Sequence, residues 1–415
     1  MTHSKPISAI PNSLRLMVWL LCGIVPCVSG CSNNTQPQEQ PKAVSFWPPS
    51  PDEPRLQYLT SFEKSSDVEP PKSSLDRIIT GNDPQEVLPI SKPYGVKMWQ
   101  GKIYICDLKQ HAVIILDLRN HVTRVLGITG NLHLDTPTDI AIAPDGTKYV
   151  SDMARGAVVV FNPADQQIAV FTHPNFKPVG VAIFNDELAV ADFQAQRVEV
   201  LDRASGQSRR IVGSAGMDDG QFVRPLSLTY DAQGNLYVCD VFKCRVQKFD
   251  REGKLVKAFG TINATAGNFV RPKHIAVDAD GILYVVDAAF QNVQLFDASG
   301  RTLTFFGSAG LHPGAMQLPA GICVTDDPQN LALFKDQVHP AFEAQRLILV
   351  TNQFGRAKVG VYALGKLKPG KTISDIAQSR NAVPSGMDTG TGTTRPTTLP
   401  ALPPDDAGPH AAPHP

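Results

Sequence analysis

The chain of 415 residues carries 39 basic and 39 acidic side chains, so it has no global positive field to draw nucleic acid or anionic lipid. Apolar residues make up 42% and charged residues only 19%, enough for a sizeable core. With 34 prolines and 32 glycines, it is broken too often for long helices and suits many short strands.

Residues 1–30 contain no acidic residue, and Lys5 and Arg15 precede the apolar run Leu16–Val25, too short to span a bilayer comfortably. A basic start, a short apolar centre and small residues at the end read as a secretory signal peptide. Its removal leaves 37 basic and 39 acidic residues, a net charge of −2. The end, Val28-Ser29-Gly30-Cys31, resembles the lipobox of bacterial lipoproteins. That resemblance implies that the Cys31 thiol takes a diacylglyceryl group and becomes the new N-terminus. Ser32, not Asp, follows, which implies the outer rather than the inner membrane, with the chain on the periplasmic side and touching the bilayer through its lipid anchor. Residues 31–54 are polar and Pro-rich and read as an extended tether.

A repeat begins beyond the tether. Its starts are Lys92-Pro93, Thr136-Pro137, Lys177-Pro178, Arg224-Pro225, Arg271-Pro272 and Leu318-Pro319, with prolines 44, 41, 47, 47 and 47 residues apart. The clearest unit runs Arg271–Asp287, Val293–Gly300 and Leu303–Gly307, four β-rich runs separated by turn signals such as Asp280-Gly281 and Ser299-Gly300. Four strands every 40–50 residues is the pattern of a propeller blade. The fold expected is all-β, a six-bladed β-propeller of four-stranded blades over residues 55–365.

The Pro-x-x-aliphatic start, the Leu/Ile-Tyr-Val-x-Asp strand and the Arg-Val-x-x-Phe-Asp strand resemble the NHL-repeat family. So do the linkers Gly213–Phe222 and Gly307–Gly314, and the stretch Phe46–Leu59 is similar to that of bacterial propeller lipoproteins. The sixth repeat lacks a fourth strand, because Gly365-Lys-Leu-Lys-Pro-Gly-Lys is too polar and broken. Arg55–Phe62 has the length and pattern to supply it, so an N-terminal strand is expected to close the sixth blade and cover its edge. The 63–91 link, with a short helix near Leu75–Ile79, and an insertion at Asp326–Gln345 interrupt the pattern. Residues 366–415 read as a low-complexity, largely disordered tail.

Strand order gives the ring two faces. First-strand starts, second-to-third loops and blade-to-blade linkers open on face X; tight turns such as Asp145-Gly146 and Glu252-Gly253 lie on face Y. Loops that vary between repeats favour face X for binding. The third residues of the Pro-x-x motifs, Gly95, Asp139, Gly180, Ser227, His274 and Gly321, are placed near the channel mouth on face X, the three glycines widening it. Asp139, Ser227 and His274 read first as ordinary solvated or inter-blade hydrogen-bonding groups, and otherwise as a small polar pocket or a weak metal site. The resemblance implies several zinc-holding histidines in peptide-amidating lyases of this family, and only His274 is in place, so neither a metal nor a cofactor is expected. Asp107, Asp152, Asp192, Asp240 and Asp287, with Asn352 in the sixth repeat, recur once per blade and read as strand-end caps pairing backbone amides, Arg197 or Arg245. Phe193, Phe242, Phe290 and Phe354 follow those positions closely. Exposed, they form with Arg197 and Arg245 a surface for a protein or peptide partner; packed, they fill clefts between blades. Cys106 and Cys239 read as small core fillers, and a Cys239–Cys244 bridge would close too short a loop to gain much.

The function expected is a non-catalytic envelope lipoprotein scaffold that binds a protein or peptide through face X, with no nucleic acid. The alternative is a propeller enzyme of the lyase or lactonase type using Asp139 and His274, with or without a metal.

Overall fold

The computed structural model describes residues 45–71, 73, 87–128, 133–263 and 265–380, without the side chains of 377–380. Cys31, the expected helix near Leu75–Ile79 and the tail beyond 380 lie outside the described residues. Six antiparallel sheets form the blades, the first five each with four strands in chain order. Blade one is Pro93–Trp99, Lys102–Asp107, Ala112–Asp117 and Val122–Leu126. The first strands, Pro93–Trp99, Pro137–Ile142, Pro178–Phe184, Pro225–Tyr230, Pro272–Val277 and Pro319–Thr325, each pack on the next, and the last packs on the first. The ring is therefore closed, as the repeat count requires.

Position in the blade explains the residue pattern. A third strand such as Ala112–Asp117 is buried along its whole length and is apolar but for its last residue. The outermost strand alternates: in Gln167–Thr172, Ile168 and Val170 are exposed and Phe171 is buried. Burial of both faces removes the period-2 signal, and burial of one face restores it.

Leu56–Phe62 pairs antiparallel with Val359–Leu367, so the N-terminal strand does complete blade six. Two differences appear at its flanks. Phe46–Trp47 pairs with Leu56 and Gln57 as a fifth strand, so residues 45–54 pack on blade six where a tether was expected. Two aromatics in a polar stretch cause this: Phe46 stacks edge-on against Phe342 at 5.5 Å, and Trp47 meets Phe306 and Tyr362. Second, residues 373–380 form the helix Ile373–Arg380 at the start of the expected low-complexity tail, and Ile376 is buried in the same cluster as Phe46 and Phe342.

The seam between blades six and one is laced. Lys358 Nζ donates to Ser91 O at 2.9 Å, Thr351 Oγ1 to Tyr94 O at 2.6 Å, and Gly101 N to Asn330 Oδ1 at 2.9 Å. Asn330 belongs to the insertion, which carries a short helix, Pro328–Ala332, across face Y.

Candidate functional site

The once-per-blade carboxylates are staples. Asp287 accepts from Val270 N at 2.8 Å and Arg271 N at 3.2 Å, and from Ala289 N and Phe290 N on its own loop. Asp107, Asp152, Asp192 and Asp240 accept from the corresponding linker amides, and Asn352 accepts from Gln317 N. Each joins the end of a second strand to the start of its own first strand. The arginines are not their partners. Arg197 contacts Glu199 at 3.7 Å, and Arg245 holds Asp219 Oδ1 at 2.7 Å with the Asp218 and Gln221 carbonyls. Arg245 is 7% exposed and fully committed to its linker, which corrects its expected place on an open surface.

Asp139, Ser227 and His274 lie inside the channel rather than at its mouth, each 2% exposed or less. Blades two and five stand opposite in a ring of six, and Asp139 Oδ1 meets His274 Nε2 across the axis at 3.4 Å. Asp139 also accepts from Ile140 N at 2.9 Å and from Val181 N of blade three at 3.1 Å. Burial pushes its carboxyl up, but His274, Lys97 and the Val181 amide outweigh burial and hold it below the usual carboxylate range. Apart from this approach to Asp139, neither His274 ring nitrogen has a hydrogen-bond partner among the described residues. Ser227 Oγ accepts from Ile275 N at 3.2 Å, joining blades four and five.

The three glycines do not widen a mouth. A Cβ on Gly95 would stand 2.7 Å from the Asp139 Cα, on Gly180 2.7 Å from Leu226 O, and on Gly321 2.1 Å from Tyr94 O. They are places where neighbouring first strands touch backbone to backbone, a role for glycine that one isolated sequence does not separate from an open pore.

Face X divides the aromatic candidates. Phe242 and Phe354 are each 61% exposed. Phe290 is half-buried beside Phe305, and Phe193 is half-buried under the Arg224 guanidinium at 4.7 Å. The second-to-third loops of blades one to five are uniform, with four residues between the strands and the last in a left-handed conformation, as in His111 and Gln291. They do not vary as expected; the linkers do. Gly213, Gly260 and Gly307 open three linkers with positive φ, and Phe222, Phe269 and Met316 pack directly against them. In the last, Leu311 is 94% exposed. This linker, the Phe354–Ala357 loop and Tyr58–Ser61 of the closing strand border a groove of about 730 Å³, which sequence reasoning missed because its walls come from three distant segments.

Cys106, Cys239, Cys244 and Cys323 are buried free thiols. Among the described residues no group of three or more His, Cys, Asp or Glu is placed to hold a metal, and no helix is long and apolar enough to cross a membrane.

No family model matches the chain. It is similar in fold to a structural-genomics protein of unknown function from Bacteroides thetaiotaomicron, with a TM-score of 0.51 and 15% identity over 74% of this chain and 75% of that one. A streptogramin B lyase structure gives a TM-score of 0.47 at 12% identity, covering 67% of this chain and 95% of that one. The calcium-binding protein regucalcin from Agrobacterium tumefaciens gives 0.47 at 12% identity, over 68% and 94%. What the chain shares with the first of these is the propeller itself.

Proposed function

We propose that this protein is an envelope lipoprotein of the NHL-repeat kind, anchored through Cys31 to the periplasmic side of a bacterial membrane, and that it binds a protein or peptide without catalysis. Residues 1–30 are the signal peptide in this reading, and the residues between Cys31 and the propeller are the tether. The observation that carries it is the exposure of Phe242 and Phe354 on face X, with the groove beside Phe354. Rigid aromatics that stand free on a stapled scaffold are the usual anchors of protein interfaces, and truncating such an anchor costs about 2 kcal/mol or more. Phe242→Ala and Phe354→Ala should therefore weaken capture of the partner by at least about tenfold while leaving the melting temperature unchanged. Equal affinity in stable variants would refute the assignment. Lipidation is checked separately: Cys31→Ala should abolish palmitate labelling, and undiminished labelling would exclude that anchor.

One observation favours the second reading, a propeller enzyme: the Asp139–His274 pair is an acid beside a base with open ring nitrogens. Catalysis there requires substrate to reach groups that are almost wholly buried, and a general base must come within hydrogen-bond reach of its proton. Calorimetry that detects a divalent ion or small substrate bound by wild type and not by His274→Ala would favour the enzyme; identical flat titrations would remove it.

A further inference from the structure

The strand that closes blade six is covered along only part of its outer edge. Phe46–Trp47 pairs with Leu56 and Gln57, and Tyr58 N donates to Ser45 O at 2.9 Å. Beyond Tyr58, no strand among the described residues pairs with the outer edge of Leu59–Phe62, whose inner edge is held by Val359–Leu367. An unpaired edge presents backbone donors and acceptors to any extended chain that comes alongside.

This edge does not face open solvent alone. Tyr58–Ser61 form one border of the face X groove of about 730 Å³, and its other borders carry Leu311 and Phe354, both exposed. Of the residues around the groove only Arg356 bears a full charge, and none is acidic. Arg356 is exposed, and its guanidinium has no hydrogen bond or ion pair among the described residues. The groove's histidine, His312, is engaged locally, with Nε2 at 2.9 Å from Ser308 Oγ and Nδ1 at 3.1 Å from Pro313 O. These features define a partner's chemistry. A free edge recognises extended backbone, and an added strand turns every second side chain to the same face. Exposed Leu311 and Phe354 favour apolar side chains on that face. A lone guanidinium selects a carboxylate, which it can hold with two parallel hydrogen bonds.

We propose that the partner docks by strand addition: an extended acidic segment of its chain pairs with the Leu59–Phe62 edge, its apolar side chains meet Leu311 and Phe354, and an acidic side chain pairs with Arg356. This rests on the reading of face X as a partner surface and narrows it to one peptide mode and one charge. The probe is a library of amidated octapeptides, random at every position, panned against the mature chain in detergent. The peptides recovered should share one Asp or Glu and carry apolar residues two apart. The tightest of them, resynthesised, should bind Arg356→Ala at least about tenfold more weakly than wild type, and Arg356→Lys should recover part of the loss. Methylating its backbone amides one at a time should weaken binding at alternate positions only. No binders, binders without an acid, equal affinity for Arg356→Ala, or no alternation in the methylated series overturns strand addition. Binding that appears only after residues 32–44 are deleted gives the edge to the chain's own leading segment and overturns it too. The broader reading is judged apart. If Phe242→Ala and Phe354→Ala weaken capture of the partner while no acidic peptide binds, strand addition fails and the partner surface stands.

Discussion

Asp139 carries more of the fold than any other ionisable residue on the axis. Its oxygens touch blades two, three and five at once, through Ile140 N, Val181 N and His274 Nε2. A hydrogen bond to a buried charged group is worth about 1.5–3 kcal/mol, and Asp139 accepts two from backbone amides. Asp139→Asn should thus lower stability by an amount of that order in urea denaturation. Its pH dependence has a defined sign. The folded carboxyl is held below the usual range, and the unfolded one titrates near about 3.9, so its contribution is present above about pH 4. The contribution is lost as pH falls through the lower folded value. The gap between wild type and Asp139→Asn should therefore shrink below about pH 4; a gap that widens there would contradict the charge state. That Asp139 and His274 share a ring was legible from the repeat register. That they meet was not, because only the count of six blades makes two and five opposite, and only side-chain reach decides whether the axis is bridged.

At the scale of the element, the closing strand is the decisive piece. Leu56 is fully buried in the cluster that joins blades five and six, with Tyr284, Phe306 and Tyr362. Leu56→Ala should cost about 2–5 kcal/mol. Deletion of 45–62 should go further, exposing the Val359–Leu367 edge and driving aggregation. A deletion that melts like wild type would show that the ring closes without it. The strand itself was readable, since the sixth repeat lacked a fourth strand and Arg55–Phe62 had no other place. The strand Phe46–Trp47 and the helix Ile373–Arg380 were not. Two residues carry no periodicity, and a proline-rich or polar context hides one buried Phe46 or Ile376 whose partners lie hundreds of residues away. The loop arginines failed for a related reason. Register places Arg197 and Arg245 beside the staple carboxylates, but those are already saturated by backbone amides, so Arg245 turns to the linker that folds over it.

Across the whole molecule, uniform staples hold five blades alike, and difference is confined to the linkers, the blade-six loop and the two channel ends. A scaffold built this way presents exposed Phe242 and Phe354 on one face without strain on the core. The two faces make opposite forecasts for contact with a partner. Glu252 sits at a tight turn on face Y, far in the blade from the loop that carries Phe242. The most direct test is site-specific photo-crosslinking in intact cells, with the probe placed in turn at Phe242, Phe354 and Glu252. The account expects a discrete protein adduct from the two face X positions and none from Glu252. Adducts from Glu252 alone, or none from either phenylalanine position, would contradict it.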